Sequence, residues 1–277
     1  MNMQKITILL LAFLSCTIVL AQKKEKISGS KIISSKQKNI KNFSAIEVED
    51  NFEISLERGE YPEIKIEADD NLINIIDIEV TDNVLHLSTS KKVVKSKALK
   101  IKVTYTSELN TVTAKNDAIV KAIQEIITDN LTIKTFDDSK IFINANTKNF
   151  ILQADGSSKI ELNLKSEKTK IELIKNAALK SLVTTDDLAI DMYQSTKVKI
   201  EGEANHSIIR LENNSELEAS KLDIKSIELI AEGQSKAVVN PKKDIIINAS
   251  EKSETELYGD AKIEMNKFTD KAKLSKK

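Results

Sequence analysis

A column of Ile and Leu that returns every nineteen residues constrains this chain more than any other feature. Ile133, Leu152, Ile171, Ile190 and Ile209 stand 19 residues apart, Leu229 follows after 20 and Ile247 after 18. A second column keeps the step through Ile141, Ile160, Leu179, Val198, Leu217 and Ala237, with Thr255 as its weak last member. A third runs through Ile143, Leu162, Ile200, Ala219, Val239 and Leu257, interrupted by Ser181. Val112 and Val120 mark an earlier, slightly longer turn. Inside each unit apolar and polar residues alternate, as in Lys140-Ile141-Phe142-Ile143 and Lys197-Val198-Lys199-Ile200. That is the period of a strand with one buried face, and nothing recurs at the spacing a helix needs.

Each unit therefore holds two short strands joined by a polar turn such as Asp137-Asp138-Ser139 or Asp155-Gly156-Ser157. One unit cannot bury its apolar face alone. Stacked units can, because equivalent residues then lie over one another in continuous files. At a rise of about 4.8 Å per coil, roughly seven or eight coils would reach about 35 Å. The expected fold class is all-β: a single-stranded parallel β-helix with coils of about 19 residues and an N-terminal β cap.

The cap is expected because an open coil exposes both core and unpaired backbone. From Phe43 to Thr106 the chain has strand character without the period: Ile46, Val48, Phe52, Ile54 and Leu56 alternate, and Ile64 and Ile66 follow the Arg58–Pro62 turn. The expected organisation is a leader over residues 1–21, a flexible lead-in over 22–42 and β layers or cap over 43–110. Solenoid repeats follow over 111–259, and a lysine-rich, weakly ordered tail over 260–277. Residues 88–97 read as a polar, lysine-rich loop.

Composition narrows the function. The 42 Lys+Arg balance 42 Asp+Glu, and the only arginines are Arg58 and Arg210. That balance removes the usual electrostatic reason to expect a nucleic-acid partner, since phosphate binding depends on a clustered basic surface. Two prolines and many β-branched residues suit strands. The single cysteine, Cys16, lies in the leader, so packing and backbone hydrogen bonds must hold the mature fold without disulfides.

The leader itself has the form of a secretory signal. Lys5 supplies the positive start, Ile6 to Leu20 an apolar run too short to span a bilayer, and Val19-Leu20-Ala21 the small-residue cleavage site. Acylation at Cys16 is the competing reading. Against it, Phe13 stands where such signals favour Leu, and the apolar run continues past Cys16, so cleavage after Ala21 is expected. No later segment is apolar enough to cross a membrane, which places the mature chain in the periplasm, at the outer surface or outside the cell.

Two features together resemble the auto-transporter adhesin head domain, also called the GIN domain, a family of exported bacterial proteins. One is the N-terminal block Phe43-Ser44-Ala45-Ile46-Glu47-Val48, Phe52-Glu53-Ile54, Ile64-Lys65-Ile66-Glu67-Ala68-Asp69-Asp70-Asn71-Leu72 and Val84-Leu85-His86-Leu87. The other is the repeated small-polar turn followed by alternating apolar residues. The resemblance covers about Phe43 to Gly259 and implies a right-handed single-stranded β-helix with a surface or adhesive role. It carries no catalytic motif. Its turns usually hold glycine, whereas here only Gly156 and Gly233 do. Asp138, Asn176, Asn213-Asn214 or Ser195 take that place, and Asn and Asp tolerate left-handed backbone angles.

Candidate chemistry is sparse. The turn column Asp138, Ser157, Asn176, Ser195, Asn214 and Gln234 could bind a glycan or calcium, but turns favour these residues anyway and a structural ladder is the plainer reading. The adjacent acids Asp69-Asp70, Asp137-Asp138 and Asp186-Asp187 could hold calcium as in polysaccharide lyases, yet neighbours on a strand point to opposite faces. His86, between Leu85 and Leu87, should face outward, and His206 should sit in a turn beside Asn205. Neither has a second ligand at zinc spacing. No nucleophile elbow surrounds any serine. Phe136, Phe142 and Tyr193 form a small candidate aromatic patch, and outward lysines blunt strand edges.

No catalytic, cofactor or metal residues are assigned. The expected function is an exported, non-catalytic solenoid that binds glycan or protein at the cell envelope. The alternatives are a carbohydrate-active enzyme of the polysaccharide lyase kind and a purely structural envelope component.

Overall fold

The computed structural model describes residues 24–277. The expected leader, with Cys16 and the cleavage site at Ala21, lies outside the described residues.

The strands in chain order are β1 (Lys26–Ser28), β2 (Ile33–Asn39), β3 (Ala45–Val48), β4 (Glu53–Arg58), β5 (Glu63–Asp69), β6 (Ile76–Thr81), β7 (Val84–Thr89), β8 (Lys92–Lys95), β9 (Leu99–Tyr105), β10 (Thr111–Ala114) and β11 (Ile119–Ala122). The long strands of the repeat follow: β12 (Ile126–Thr135), β13 (Lys140–Ala154), β14 (Lys159–Leu173), β15 (Ala178–Met192), β16 (Lys197–Leu211), β17 (Glu216–Ala231) and β18 (Lys236–Ala249). Three shorter strands end the chain: β19 (Glu254–Leu257), β20 (Lys262–Phe268) and β21 (Lys273–Lys276). One short 3-10 helix, Asp70–Ile75, interrupts them.

The nineteen-residue step is a literal backbone register. Ile133, Leu152, Ile171, Ile190, Ile209, Leu229 and Ile247 pair in succession along parallel strands β12 to β18. The file continues past both ends of the visible repeat, through Val112, Ile46 and Leu85 on one side and Met265 on the other. The second column does the same. Ile141 is preceded by Val120, Ile54 and Ile101, and Thr255 is followed by Leu274. Both columns point inward and form one continuous core with the third. Parallel strands with almost every inner rung occupied by Ile, Leu or Val satisfy the backbone and the apolar side chains at once, while Met265 at the last rung is exposed.

At the N-terminus the stacking order departs from the chain order. The coil of β3 and β4, first in sequence, lies between the coil of β7 and β9 and the coil of β10 and β11. An excursion through β5 and β6 carries the chain outward before it returns. There β5 runs antiparallel to β9, β6 antiparallel to β7, and β2 antiparallel to β5. These reversed strands, with Leu72 and Ile75 buried beneath the 3-10 turn, close this end of the core.

The lead-in and the tail differ from expectation. Residues expected as a flexible lead-in contain β1, which pairs with β8, and β2, which edges the cap. The loop expected over residues 88–97 thus supplies a strand whose Val93 is buried. The tail adds a further coil, β20 on β18 and β21 on β19. Sequence patterns missed these segments because their strands bury few side chains: β20 is exposed throughout and β2 nearly so. Their order comes from backbone pairing, which leaves no apolar period.

The turns correct another expectation. The left-handed residues are Asn116, Asp137, Gly156, Lys175, Gln194, Asn213, Gly233, Glu251 and Asp270. Gly156, Asn213 and Gly233 stand where expected, whereas Asp137, Lys175 and Gln194 precede the expected Asp138, Asn176 and Ser195 by one position. Lys175, Gln194 and Glu251 are not residues that favour this conformation. The stack imposes it, because each such residue's carbonyl accepts a backbone N–H from the next coil, as in Ser195 to Lys175 at 2.8 Å and Lys271 to Glu251 at 2.7 Å. Two residues further on, a column unnoticed in the sequence points inward. Ser139, Ser158, Ala177, Thr196, Ser215, Ser235 and Ser253 are all fully buried. Two of its serines satisfy local backbone: Ser215 and Ser253 donate to the carbonyls of Glu212 and Ser250 at 2.9 Å, whereas the hydroxyls of Ser139, Thr196 and Ser235 are buried without a partner.

Candidate functional site

Each coil of the repeat has two arms, for example residues 149–154 and 159–164 of β13 and β14, whose inward residues share one core. Their outward residues therefore form two separate faces. These faces, the turns and the corners are where chemistry could occur.

The turn column Asp138, Ser157, Asn176, Ser195, Asn214 and Gln234 does stack, through its backbone. Ser157, Asn176, Asn214 and Gln234 donate N–H to Asp137, Gly156, Gln194 and Asn213 carbonyls at 2.6–2.8 Å. Side-chain ladders occur at other positions, also at the coil repeat. Asn149 donates to Asn130 at 2.9 Å, Asn163 to Asn144 at 2.7 Å and Asn205 to Asp186 at 2.7 Å. The amide ladder of β13 and β14 was not legible beforehand, because outward columns tolerate any polar residue.

The acid pairs are dispersed. Asp137 accepts the Asn116 N–H at 3.2 Å in the turns, beside the exposed Asp138. Asp186 belongs to the corner ladder just described, and Asp187 is in register with His206. Asp69 and Asp70 lie in the cap and clasp the lead-in. The buried Asp69 carboxylate accepts backbone N–H groups from Lys31 at 2.8 Å, Lys97 at 3.0 Å and Ala98 at 2.9 Å. Burial alone would raise this carboxyl, but those N–H bonds, Ala98 foremost, hold it below its ordinary value. Asp70 accepts from Ser30 Oγ at 2.5 Å, and Asn71 donates to the Ser28 carbonyl at 2.9 Å. Among the described residues no group of three or more His, Cys, Asp or Glu is placed to hold a metal ion.

His86 faces outward on β7, its Nδ1 3.6 Å from Glu47 Oε1. His206 lies inside β16 rather than in a turn, at the corner where the first arm begins. The aromatic residues do not gather into one site. Phe142 belongs to the outer face of the second arm, with the Lys121 ammonium 5.8 Å from its ring centre, while Phe136 and Tyr193 flank turns on separate coils.

The two faces differ in chemistry. The second-arm face is polar. A shallow concavity of about 520 Å³ there is lined by Phe142, Asn144, Asn163, Lys180, Leu182 and Lys199, among others. Elsewhere on the outer surface opposite charges meet across neighbouring coils, as in Lys197–Glu216 at 3.3 Å and Arg210–Asp191 at 2.8 Å. Exposed pairs of this kind contribute little stability and chiefly keep the face soluble. The first-arm face is more apolar. Its concavity, about 680 Å³, has Ile151, Ala189, Ile208 and Ile246 along its floor, with Ile208 53% exposed. Neither face gathers a nucleophile, base and anion-stabilising donors at one point. No helix among the described residues is long and apolar enough to cross a membrane.

Solved structures share this fold. An adhesin-named protein of Parabacteroides merdae ("putative adhesin") superimposes with a TM-score of 0.68 at 18% identity, covering 91% of this chain and 99% of that one. A second "putative adhesin", from Parabacteroides distasonis, gives 0.63 at 17% identity, over 91% and 100%. A "Putative lipid binding protein" from the same species gives 0.61 at 14%, over 91% and 97%. No curated protein matches the chain in sequence. The family model described as "Putative auto-transporter adhesin, head GIN domain" matches residues 42–173 and 161–261, nearly the whole solenoid and its cap. The chain belongs to the auto-transporter adhesin head GIN domain family.

Proposed function

We propose that this protein is an exported, non-catalytic binding module that holds a glycan or protein of the cell envelope against the polar outer face of the second arm. One observation carries the reading. On that face Phe142, Asn144, Asn163, Lys180, Leu182 and Lys199 line a single open concavity that crosses several coils. Rigid amides and lysines beside two apolar side chains suit a hydroxyl-rich or peptidic surface, and the coil stack holds them at fixed spacing. The dispersal of the acid pairs and the adhesin names of the fold relatives support binding over turnover. Export rests on the signal pattern of residues 1–21.

The test is retention on an array of glycans and cell-envelope fractions, comparing the native protein with Lys180→Glu and Leu182→Asp. Both positions are exposed, so the variants should fold. Retention by the native protein that falls at least about tenfold in both variants is the expected result. No retention on any element of the array, or equal retention by all three proteins, refutes the reading. Turnover of an acidic polysaccharide that is lost on changing Asp137 and Asp138 would replace it with the enzymatic alternative.

A further inference from the structure

The first-arm face has a charge pattern that the proposed ligand face does not explain. Its central outward column runs Ile151, Lys170, Ala189, Ile208, Glu228, Ile246 over six successive coils. Read from either end, the order is complementary: isoleucine meets isoleucine, lysine meets glutamate, and alanine meets isoleucine. The columns on either side behave alike. Reversing the corner column Asn149, Lys168, Asp187, His206, Ser226, Asp244 sets Asp187 opposite His206. Reversing the third column sets Asp191 opposite Arg210 and Glu172 opposite Ile230. Over these six coils no like charges meet in any of the three columns; one coil beyond at either end, Lys134 and Lys267 would face each other.

A twofold axis lying in the face and running along the strands performs this reversal. It places each column against its own copy with the coil order inverted, midway between Ala189 and Ile208. We infer that the first-arm face is a self-association surface, on which a second copy of this chain packs face to face with its solenoid axis antiparallel. Isologous contact of this kind is the usual form of a homodimer. The exposed Ile151 and Ile208, at 39% and 53%, would leave water together with Ala189 and Ile246. Lys170 and Glu228 would pair across the interface twice, once on each side of the axis. The patch measures roughly 24 Å by 20 Å from coil rise and strand length, about 500 Å² on each copy. That is the lower end of specific interfaces, so a dissociation constant on the order of micromolar is expected. The second-arm faces point away from this contact, and a dimer would carry two ligand faces.

Sedimentation equilibrium of the purified protein from about 1 to 100 µM tests the inference, since that range brackets a micromolar constant. The expected result is a monomer–dimer equilibrium. Lys170→Glu alone and Glu228→Lys alone should each weaken it about tenfold or more by setting like charges together. The double exchange Lys170→Glu with Glu228→Lys should restore it. These residues lie three coils apart within one chain, so the restoration cannot arise inside a monomer. A monomer throughout the range overturns the inference. So does a dimer that ignores the single substitutions, or one that the double exchange fails to rescue. Array retention by the single variants, measured separately, tells failure of this surface from failure of the ligand face.

Discussion

Ser181 interrupts an otherwise apolar file, and replacing it with Val measures what that interruption costs. Its neighbours in register are Leu162 on one coil and Ile200 on the other. The side chain is 6% exposed, and its Oγ is buried without a hydrogen-bond partner. A hydroxyl stripped of water and left unpaired costs about 1–3 kcal/mol. Exchanging it for two methyls removes that cost and adds about 0.8 kcal/mol for the extra buried carbon. Crowding could take back about 1 kcal/mol or more, but the file already accommodates Leu and Ile directly above and below. The expected net gain for Ser181→Val is therefore about 1–2 kcal/mol, or a rise in Tm of about 2–4 °C for a chain of this size. Ser181→Ala should recover the hydroxyl part alone, about 1 kcal/mol. Urea titration followed by circular dichroism, with the m-value unchanged, is the assay. If both variants match the native protein or unfold earlier, the serine is satisfied and the reasoning from an unpaired hydroxyl is wrong.

Three further outcomes follow from particular contacts. Lys175→Gly, Gln194→Gly and Glu251→Gly should each stabilise by up to about 1 kcal/mol in the same titration, since each relieves a left-handed backbone at a residue with a side chain. Gly202→Ala should do the opposite and destabilise strongly, because its φ is +118° and an added Cβ would lie 2.0 Å from the Val183 carbonyl oxygen. Asp69 has its folded pKa held below the unfolded value of about 3.9. Its contribution is therefore complete above about pH 4 and lost as pH falls through the folded value. Amide exchange at Lys31, Lys97 and Ala98, corrected for intrinsic rate, should accelerate below pH 4 in the native protein. In Asp69→Asn it should be fast already at neutral pH; unchanged protection in that variant would refute the clasp.

The repeat was legible because a parallel coil makes sequence distance and spatial register the same quantity. Ile133 and Leu152 lie nineteen residues apart and one rung apart for a single reason, the constant length of the coil. The apolar alternation of Ile46, Ile54 and Val84–Leu87 likewise identified buried strands near the cap. Gly156, Asn213 and Gly233 were legible as left-handed turn residues, whereas Lys175 and Gln194 carry no local preference that marks them; the hydrogen-bonded stack sets their angles. The buried Ser139–Ser253 column escaped notice since serine in a polar turn reads as solvent-facing.

Nineteen-residue periodicity by itself determined the solenoid, its core files and which arm residues face outward, since strand alternation and constant coil length leave one consistent arrangement. Tertiary structure alone decided the order of the first coils, where β3 and β4 lie between strands that come later in the chain. It also ordered β2 and β20, whose stability rests on backbone pairing with distant partners, and backbone groups are the same in every residue. The complementary charge order of the first-arm face, too, became visible only once register had set Lys170 and Glu228 at equal distances from one centre.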